Sequence, residues 1–335
     1  MSRLVAGPEP VPSDDNPFAA YTYKLHGNTN MGDLRVQMSR EFESDDEVLS
    51  TDRFLSLPLH ATKHTALRGG KDNSYYAYHI PRGWLAEHDI TEDYIEELVR
   101  LLEDLPPPRN KGKESRGIKD TRHYQFWVGS KRDEHAAKEG HEKTGLLHLS
   151  ADYIHDGERG QKFADHCAKL WNTVGDVHGR VFKRCGDVLR RFKTPKSAIG
   201  RFLAGPWPGM SINRGHIGSP VQTKIHKDMF NAFYGTAVLF VCGDFTGGDV
   251  ILWELGVTVP VKSGDILIFP GHLISHSNTK VTGVRHSLVA YAKQETMSHN
   301  QNKRDRMIDE AQKKKVERKR QKRSRGIKKD KKIGN

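Results

Sequence analysis

KIHKDMFNAFYGTAVLF, residues Lys224 to Phe240, is where the chain changes character. Its second half, Thr236 to Phe240, is an apolar run of the composition found in buried strands. Its first half places His226 and Asp228 one residue apart at the lip of that strand. In an extended chain, side chains two apart share a face, so the imidazole and the carboxylate project together. Both groups bind divalent cations. An HxD pair is common by chance, however, and gains weight only from a third ligand and a suitable fold around it.

The neighbouring segments supply the fold. From Ile199 onward the runs MSINRG, QTKIHKD, TAVLFVCGDF, DVILWEL, VTVPV, DILIFP, HLISHSN and RHSLVAYAK alternate with Gly-rich turns. About eight short strands in about ninety residues predict a sandwich or a small jelly-roll barrel. Upstream, TEDYIEELVRLLEDLPPP predicts a helix, with Thr91 as N-cap and acidic residues in the first turn. Its apolar stripe is Tyr94, Ile95, Leu98, Leu101 and Leu102, and Pro106 to Pro108 end it. DNSYYAYHIPRGWL predicts a strand ahead of Pro81. A second helical region is expected from about Arg159 to Phe192, interrupted near Gly175 and Gly179, with Phe163, Cys167, Leu170 and Trp171 in the core. Residues 1–75 mix Pro, Ser, Asp and Gly with weak periodicity and are expected to be irregular and partly disordered, with a few short strands.

Within the β-rich region His276 follows the turn KSGDILIFPGHLIS, and a returning strand brings it alongside the HxD pair. His272 is the alternative third ligand; the spacing to Arg285 favours His276. Two imidazoles and one carboxylate on one face of a metal leave three positions open, which suits non-haem Fe(II) oxygen chemistry with a bidentate 2-oxo acid and dioxygen. Arg285 then has a purpose inside a barrel. A buried guanidinium needs an anionic partner, and the distal carboxylate of 2-oxoglutarate matches its planar fork. Ser287, two residues on, faces the same interior and can donate to that carboxylate. Asn213 and Arg214, in SINRGH, are within reach of the other end of the co-substrate or of DNA. A cupin-like binding barrel in which these residues are incidental is the plain alternative.

Composition limits the rest. The 335 residues are 36% hydrophobic and 29% charged, so long polar segments outside the core are expected. No run approaches ~20 apolar residues, and no membrane span is predicted. Three scattered cysteines, Cys167, Cys185 and Cys242, make neither a disulfide framework nor a zinc site, which fits a reducing compartment. The net charge of +12 is concentrated at one end: Ser298 to Asn335 hold 16 Lys and Arg against 5 Asp and Glu. That tail is too charged to fold alone. It reads as a solvated tail or import signal, as an arm that binds nucleic acid through counterion release, or as both.

The motifs HKDMFNAFYGTAV, GDFTGGDVILWELG, SGDILIFPGHLISH and VRHSLVAYAK resemble the TET/JBP branch of Fe(II)/2-oxoglutarate dioxygenases, in particular its small fungal members. The resemblance runs from about Pro208 to Lys293. More specific than HxD…H…R are Asn231, Gly235 and Thr236 after the HxD, and Arg285-x-Ser287-Leu288-Val289-x-Tyr291. It implies a double-stranded β-helix in which His226, Asp228 and His276 bind Fe(II) and Arg285 and Ser287 bind 2-oxoglutarate. It further implies that Asn231 and Tyr291 touch a flipped base by hydrogen bonding and stacking. Phe230, with Phe233 and Tyr234, is a candidate lining of the base pocket. Animal members carry a base-contacting His two residues past this Tyr, where the present chain has Lys293, and their Cys-rich zinc module has no counterpart here.

The expectation is therefore an α+β protein with four parts. These are an irregular region at 1–75, a mainly helical support at 76–197, a jelly-roll core at 198–295 and a basic tail at 296–335. The expected activity is oxidation of a methylated DNA base, 5-methylcytosine, to its 5-hydroxymethyl, 5-formyl and 5-carboxyl forms, in the nucleus and without an obligate protein partner. A prolyl or lysyl hydroxylase on the same fold, an oxidative demethylase of another base such as N6-methyladenine, and a silent nucleic-acid-binding barrel are the alternatives.

Overall fold

The structure is a computed structural model that describes residues 4–6, 18, 20–25, 54–69, 74–109, 117–128, 147–190, 192, 204–232 and 235–300. Phe233, Tyr234 and the basic run beyond residue 300 lie outside the described residues. The first strands are β1 (Leu4–Ala6), β2 (Tyr21–Leu25), β3 (Leu55–Ser56), β4 (Thr65–Arg68) and β5 (Tyr75–Ile80). Helices α1 (Arg82–Ala86) and α2 (Glu92–Glu103) follow, then β6 (Thr121–Val128) and β7 (Leu147–Leu149). Helices α3 (Ala151–Val181) and α4 (Lys183–Arg190) lead into β8 (Gly209–Asn213) and β9 (Ala237–Cys242). The remaining strands are β10 (Phe245–Gly247), β11 (Val250–Leu252), β12 (Val257–Val259), β13 (Ile266–Phe269), β14 (His276–Asn278), β15 (Val281–Gly283) and β16 (His286–Tyr291). Helix α5 (Gln294–Asn300) closes the described chain.

The strands form a jelly roll. Its large wall is a 10-stranded sheet in the order β1-β2-β4-β5-β13-β9-β16-β8-β6-β7, and its small wall is a 4-stranded sheet in the order β14-β11-β12-β3. Strand β10 pairs with β15 in a two-stranded extension. Strand β9 shows why the walls hold. All its residues are buried, because both faces are covered. Ala237, Leu239 and Val241 face the barrel interior with Leu252, Val257, Leu267 and Phe269. Val238, Phe240 and Cys242 face the helices with Leu98, Phe163, Trp171 and Leu288. A slip of one residue would exchange the two sets, so the pairing register is strongly specified. Each fully buried side chain of this size contributes roughly 1.5–3 kcal/mol.

The helices form as their sequences direct. The Thr91 side chain caps α2 by accepting from Tyr94 N–H at 3.4 Å, and Ile95, Leu98, Leu101 and Leu102 are its buried face. Its C-terminal end is held from the sheet. Arg214 Nη1 donates to the carbonyls of Leu102, Glu103 and Leu105 at 3.3, 3.1 and 2.8 Å, a cation placed at the negative end of a helix. Helix α3 begins earlier than its periodicity indicates and is broken at Gly157, where φ is +53°. It runs straight through Gly175 and Gly179. Those glycines permit close approach instead: a Cβ on Gly175 would stand 2.7 Å from Pro206 Cδ.

The sheet extends beyond the expected core. Strand β5 pairs with β13 and β6 pairs with β8, so segments of the supposed helical support cover both edges of the 198–295 jelly roll. Strands β2 and β4, from the region expected to be irregular with a few short strands, continue the same sheet. Exposed strand edges invite unwanted pairing, and these additions bury them.

Candidate metal centre and co-substrate cavity

His226, Asp228 and His276 converge at one mouth of the barrel, with one potential ligand atom from each lying within 4.8 Å of the others. Asp228 Oδ1 is 3.9 Å from His226 Nε2, and its Oδ2 is 3.9 Å from His276 Nε2. The backbone sets this geometry. His226 and His276 exchange backbone hydrogen bonds at 3.0 and 2.9 Å, which makes the HxD segment a partner of β14. Asp228 N–H donates to Gly271 O at 2.9 Å. Each imidazole is also oriented from behind. His226 Nδ1 lies 2.7 Å from Lys224 O and His276 Nδ1 lies 3.0 Å from Ile274 O. Donation from Nδ1–H to those carbonyls selects the tautomer whose Nε2 is the basic nitrogen, directed at the carboxylate. Such a His-Asp-His face fits a divalent iron. His272 is buried but is not part of the cluster.

A cavity of about 270 Å³ opens beside this cluster and runs into the barrel. Arg285, Ser287, Asn213, Tyr291, Phe230 and Asn231 all line it. Arg285 is 2% exposed. Its Nη1 donates to Val221 O at 3.3 Å, its guanidinium stands 5.6 Å from the Phe245 ring, and its buried Nε has no hydrogen-bond partner. Burial pushes its pKa down to about 10, with Cys242 and Asp249 acting in the opposite direction. Among the described residues no carboxylate pairs with it at salt-bridge distance. A desolvated cation with an orphaned donor beside a cavity is the complement of an anionic co-substrate. Asn213 and Ser287 are opposite each other across β8 and β16, and Asn213 Nδ2 donates to Ser287 Oγ at 3.0 Å. Arg214, one residue on, faces the other side of the sheet and joins Asp120 at 2.7 Å.

The residues proposed to meet a substrate differ in setting. Asn231 Nδ2 lies 3.4 Å from Asp228 Oδ2, so its amide is turned toward the metal carboxylate. The Tyr291 hydroxyl donates to Gln125 Oε1 at 2.6 Å and lies 3.2 Å from His123 Nδ1. Gly209 makes that reach possible, since a Cβ there would stand 2.9 Å from Gln125 Cβ and 3.1 Å from Tyr291 Cε2. Phe230 and Met229 are 78% and 63% exposed at the cavity opening. Lys293 also lines the cavity and pairs through its backbone with Asn231. Thr121 and His123 of β6 complete the wall, and sequence reasoning missed both.

Gly271 is the tightest point of the centre. A Cβ on it would stand 2.7 Å from Asp228 Oδ2 and 3.4 Å from His276 Cε1. Gly271→Ala is therefore expected to displace the carboxylate and weaken Fe(II) binding by about 10-fold or more while the barrel stays folded. Anaerobic chelator competition with circular dichroism on the same samples checks this.

Residues 209–294 match the family model Tet_JBP, described as the oxygenase domain of the 2OGFeDO superfamily. This stretch is a Tet_JBP oxygenase domain. It spans β8 to the first turn of α5 and contains the metal cluster and Arg285. Among solved structures, the chain resembles NgTET1 in complex with 5mC DNA, with a TM-score of 0.53 and 17% identity over 78% of this chain and 89% of that one. It also resembles, more distantly, an oxidoreductase of the 2OG-Fe(II) oxygenase family from Burkholderia pseudomallei, with a TM-score of 0.36 and 12% identity over 64% of this chain and 83% of that one. No curated protein matches the sequence. The fold is the α+β jelly roll of the Fe(II)/2-oxoglutarate dioxygenases, and the protein is a dioxygenase with Fe(II) as cofactor and 2-oxoglutarate as co-substrate.

Proposed function

We propose that the protein oxidises a methylated base in DNA, 5-methylcytosine, through its hydroxymethyl form toward formyl and carboxyl products. The observation that carries the reading is the His226, Asp228 and His276 cluster beside a cavity lined by Arg285, which pairs with no carboxylate among the described residues, inside a stretch that matches the Tet_JBP oxygenase domain. The likeness to a solved structure described as holding 5mC DNA supports the choice of substrate. His226, Asp228 and His276 hold the iron. Bound iron, with 2-oxoglutarate and dioxygen, supplies the oxidising power for a C–H bond.

The chain's own residues do the rest. Arg285 and Ser287 hold the distal carboxylate of the co-substrate, and Asn213 fixes the Ser287 hydroxyl that donates to it. The barrel walls exclude water from the reacting face. A base inside duplex DNA cannot reach a metal at the head of a barrel and must be extruded, at a cost of a few kcal/mol. Phe230 at the cavity opening and Tyr291 on its wall offer aromatic faces to such a base. The tail, which carries most of the +12 net charge, supplies sequence-independent affinity for phosphates and nuclear import.

The test is incubation of the full chain with Fe(II), 2-oxoglutarate and duplexes carrying 5-methylcytosine or N6-methyladenine, followed by nucleoside mass spectrometry. Hydroxymethylcytosine that depends on both Fe(II) and 2-oxoglutarate is the expected product. Loss of N6-methyladenine alone would replace the base. Succinate formation with a prolyl peptide and none with DNA would move the substrate to protein.

A further inference from the structure

Lys227 stands between the two ligands of the HxD segment, and in an extended chain it must face away from them. Its ammonium meets a carboxylate there. Lys227 Nζ lies 2.6 Å from Glu254 Oε1, and the two side chains are only 11% and 6% exposed. Glu254 belongs to the 3-10 turn Trp253–Leu255 that follows β11. Its carboxylate also accepts from the Ser275 backbone N–H at 2.7 Å and from the Ser275 hydroxyl at 2.8 Å. Ser275 immediately precedes His276. One carboxylate thus ties the residue between the first two ligands to the residue before the third.

The same turn grips the third ligand from the other side. Trp253 N–H donates to Ser275 O at 3.0 Å, and its indole N–H donates to Ser277 Oγ at 3.0 Å. Leu252 pairs directly with His276 across β11 and β14. The chain neighbours of His276, Ser275 and Ser277, are therefore both anchored to one short turn, and the Lys227 to Glu254 pair ties that turn to the HxD segment. A buried ion pair adds little net stability over an apolar pair of equal volume. What it supplies is a second, side-chain tie between two segments already joined through the backbone of His226 and His276. It also neutralises an ammonium that would otherwise sit unpaired near a dication.

The geometry points to Lys227 and Glu254 as positioning residues for iron, a side-chain clamp that reinforces the backbone pairing of His226 with His276 and holds the two ligand-bearing segments in place. This rests on the assignment of His226, Asp228 and His276 as the ligands. Neither residue lines the co-substrate cavity. The clamp is accordingly expected to govern metal affinity and leave 2-oxoglutarate affinity alone.

The experiment uses the full chain with Fe(II) alone by anaerobic chelator competition and Co(II) alone by its visible absorption. Glu254→Gln keeps the shape and one acceptor but removes the charge. Its Kd for Fe(II) should rise about 10- to 100-fold, the range for residues that orient metal ligands, and its Co(II) bands should shift. Lys227→Met should match it, and Lys227→Arg should restore most of the affinity. At saturating iron the KM for 2-oxoglutarate should move less than about twofold in all of them, because uniform co-substrate binding is untouched. Thermal melts of the metal-free forms show whether each variant folds. If Glu254→Gln does not, Ser275→Ala removes a single bond of the clamp and should weaken Fe(II) binding several-fold. A folded Glu254→Gln with wild-type Fe(II) affinity and Co(II) spectrum overturns the clamp. Asp228→Ala, run alongside, separates the two levels. If it too binds iron normally, the ligand assignment falls; if it alone loses iron, only the clamp does.

Discussion

Asp228→Ala should abolish turnover and raise the Kd for Fe(II) by more than about 100-fold, beyond the loss typical of residues that merely orient a ligand. Asp228 supplies the cluster's single carboxylate, and its two oxygens lie 3.9 Å from one imidazole nitrogen each. With it gone, two neutral imidazoles remain, a set with no charge to offset that of the metal. The fold should survive. The backbone bond from Asp228 to Gly271 does not depend on the side chain, and the carboxylate sits at the mouth of the barrel and not in its apolar core. His276→Ala should behave alike. His272→Ala should leave iron affinity near wild type, because His272 is outside the cluster. Substantial turnover in Asp228→Ala would sink the triad, and loss in His272→Ala with none in His276→Ala would reassign the third ligand. Iron titrations and succinate release on all three variants read both outcomes.

The convergence of the candidate ligands was legible because their spacing is a property of extended chains. Two residues apart on one strand, and a return strand after a Gly-rich turn, are enough to bring His226, Asp228 and His276 to one face. Arg285 was legible for a different reason, since a guanidinium among strand residues needs a partner. Strand β6 was not. It contributes Thr121 and His123 to the cavity, yet its opposite face carries Arg122, buried against Asp120 and Asp156 at 3.2 and 2.8 Å. With polar side chains on both faces the alternation that marks a strand is erased. The positions and pairing of β2 and β4 were hidden for a related reason. These strands are short and pair in parallel, so their signal lies in a distant partner and not in their own pattern. Glu254 falls inside the run DVILWEL, where its local pattern gives it no role. Its meaning appears only when β11 is laid against β14, which brings Ser275 within reach of its carboxylate.

Arg285 should show opposite effects on stability and on binding. In the metal-free, co-substrate-free protein its guanidinium is buried with an unsatisfied Nε and a pKa pushed down to about 10, both signs that the charge is held at a cost. Replacing a buried, poorly paired charge with an apolar side chain of similar volume is often neutral or stabilising by about 1–4 kcal/mol. Arg285→Met should therefore melt at the same temperature as the wild type or roughly a few degrees higher in the absence of 2-oxoglutarate. With 2-oxoglutarate the order should reverse. The wild type gains stability by binding it, and the variant, having lost the charged partner of a buried pair worth roughly 2–5 kcal/mol, should bind about 30- to 5,000-fold more weakly. Arg285→Lys keeps the charge but not the planar fork, and should fall between the two. Iron affinity should hold in both variants, since Arg285 is not among the ligand set. Melting curves with and without 2-oxoglutarate, together with calorimetric titration of the co-substrate, resolve the signs. A variant Arg285→Met that is less stable alone yet binds 2-oxoglutarate as the wild type does would make Arg285 a structural residue and place the anchor elsewhere in the cavity.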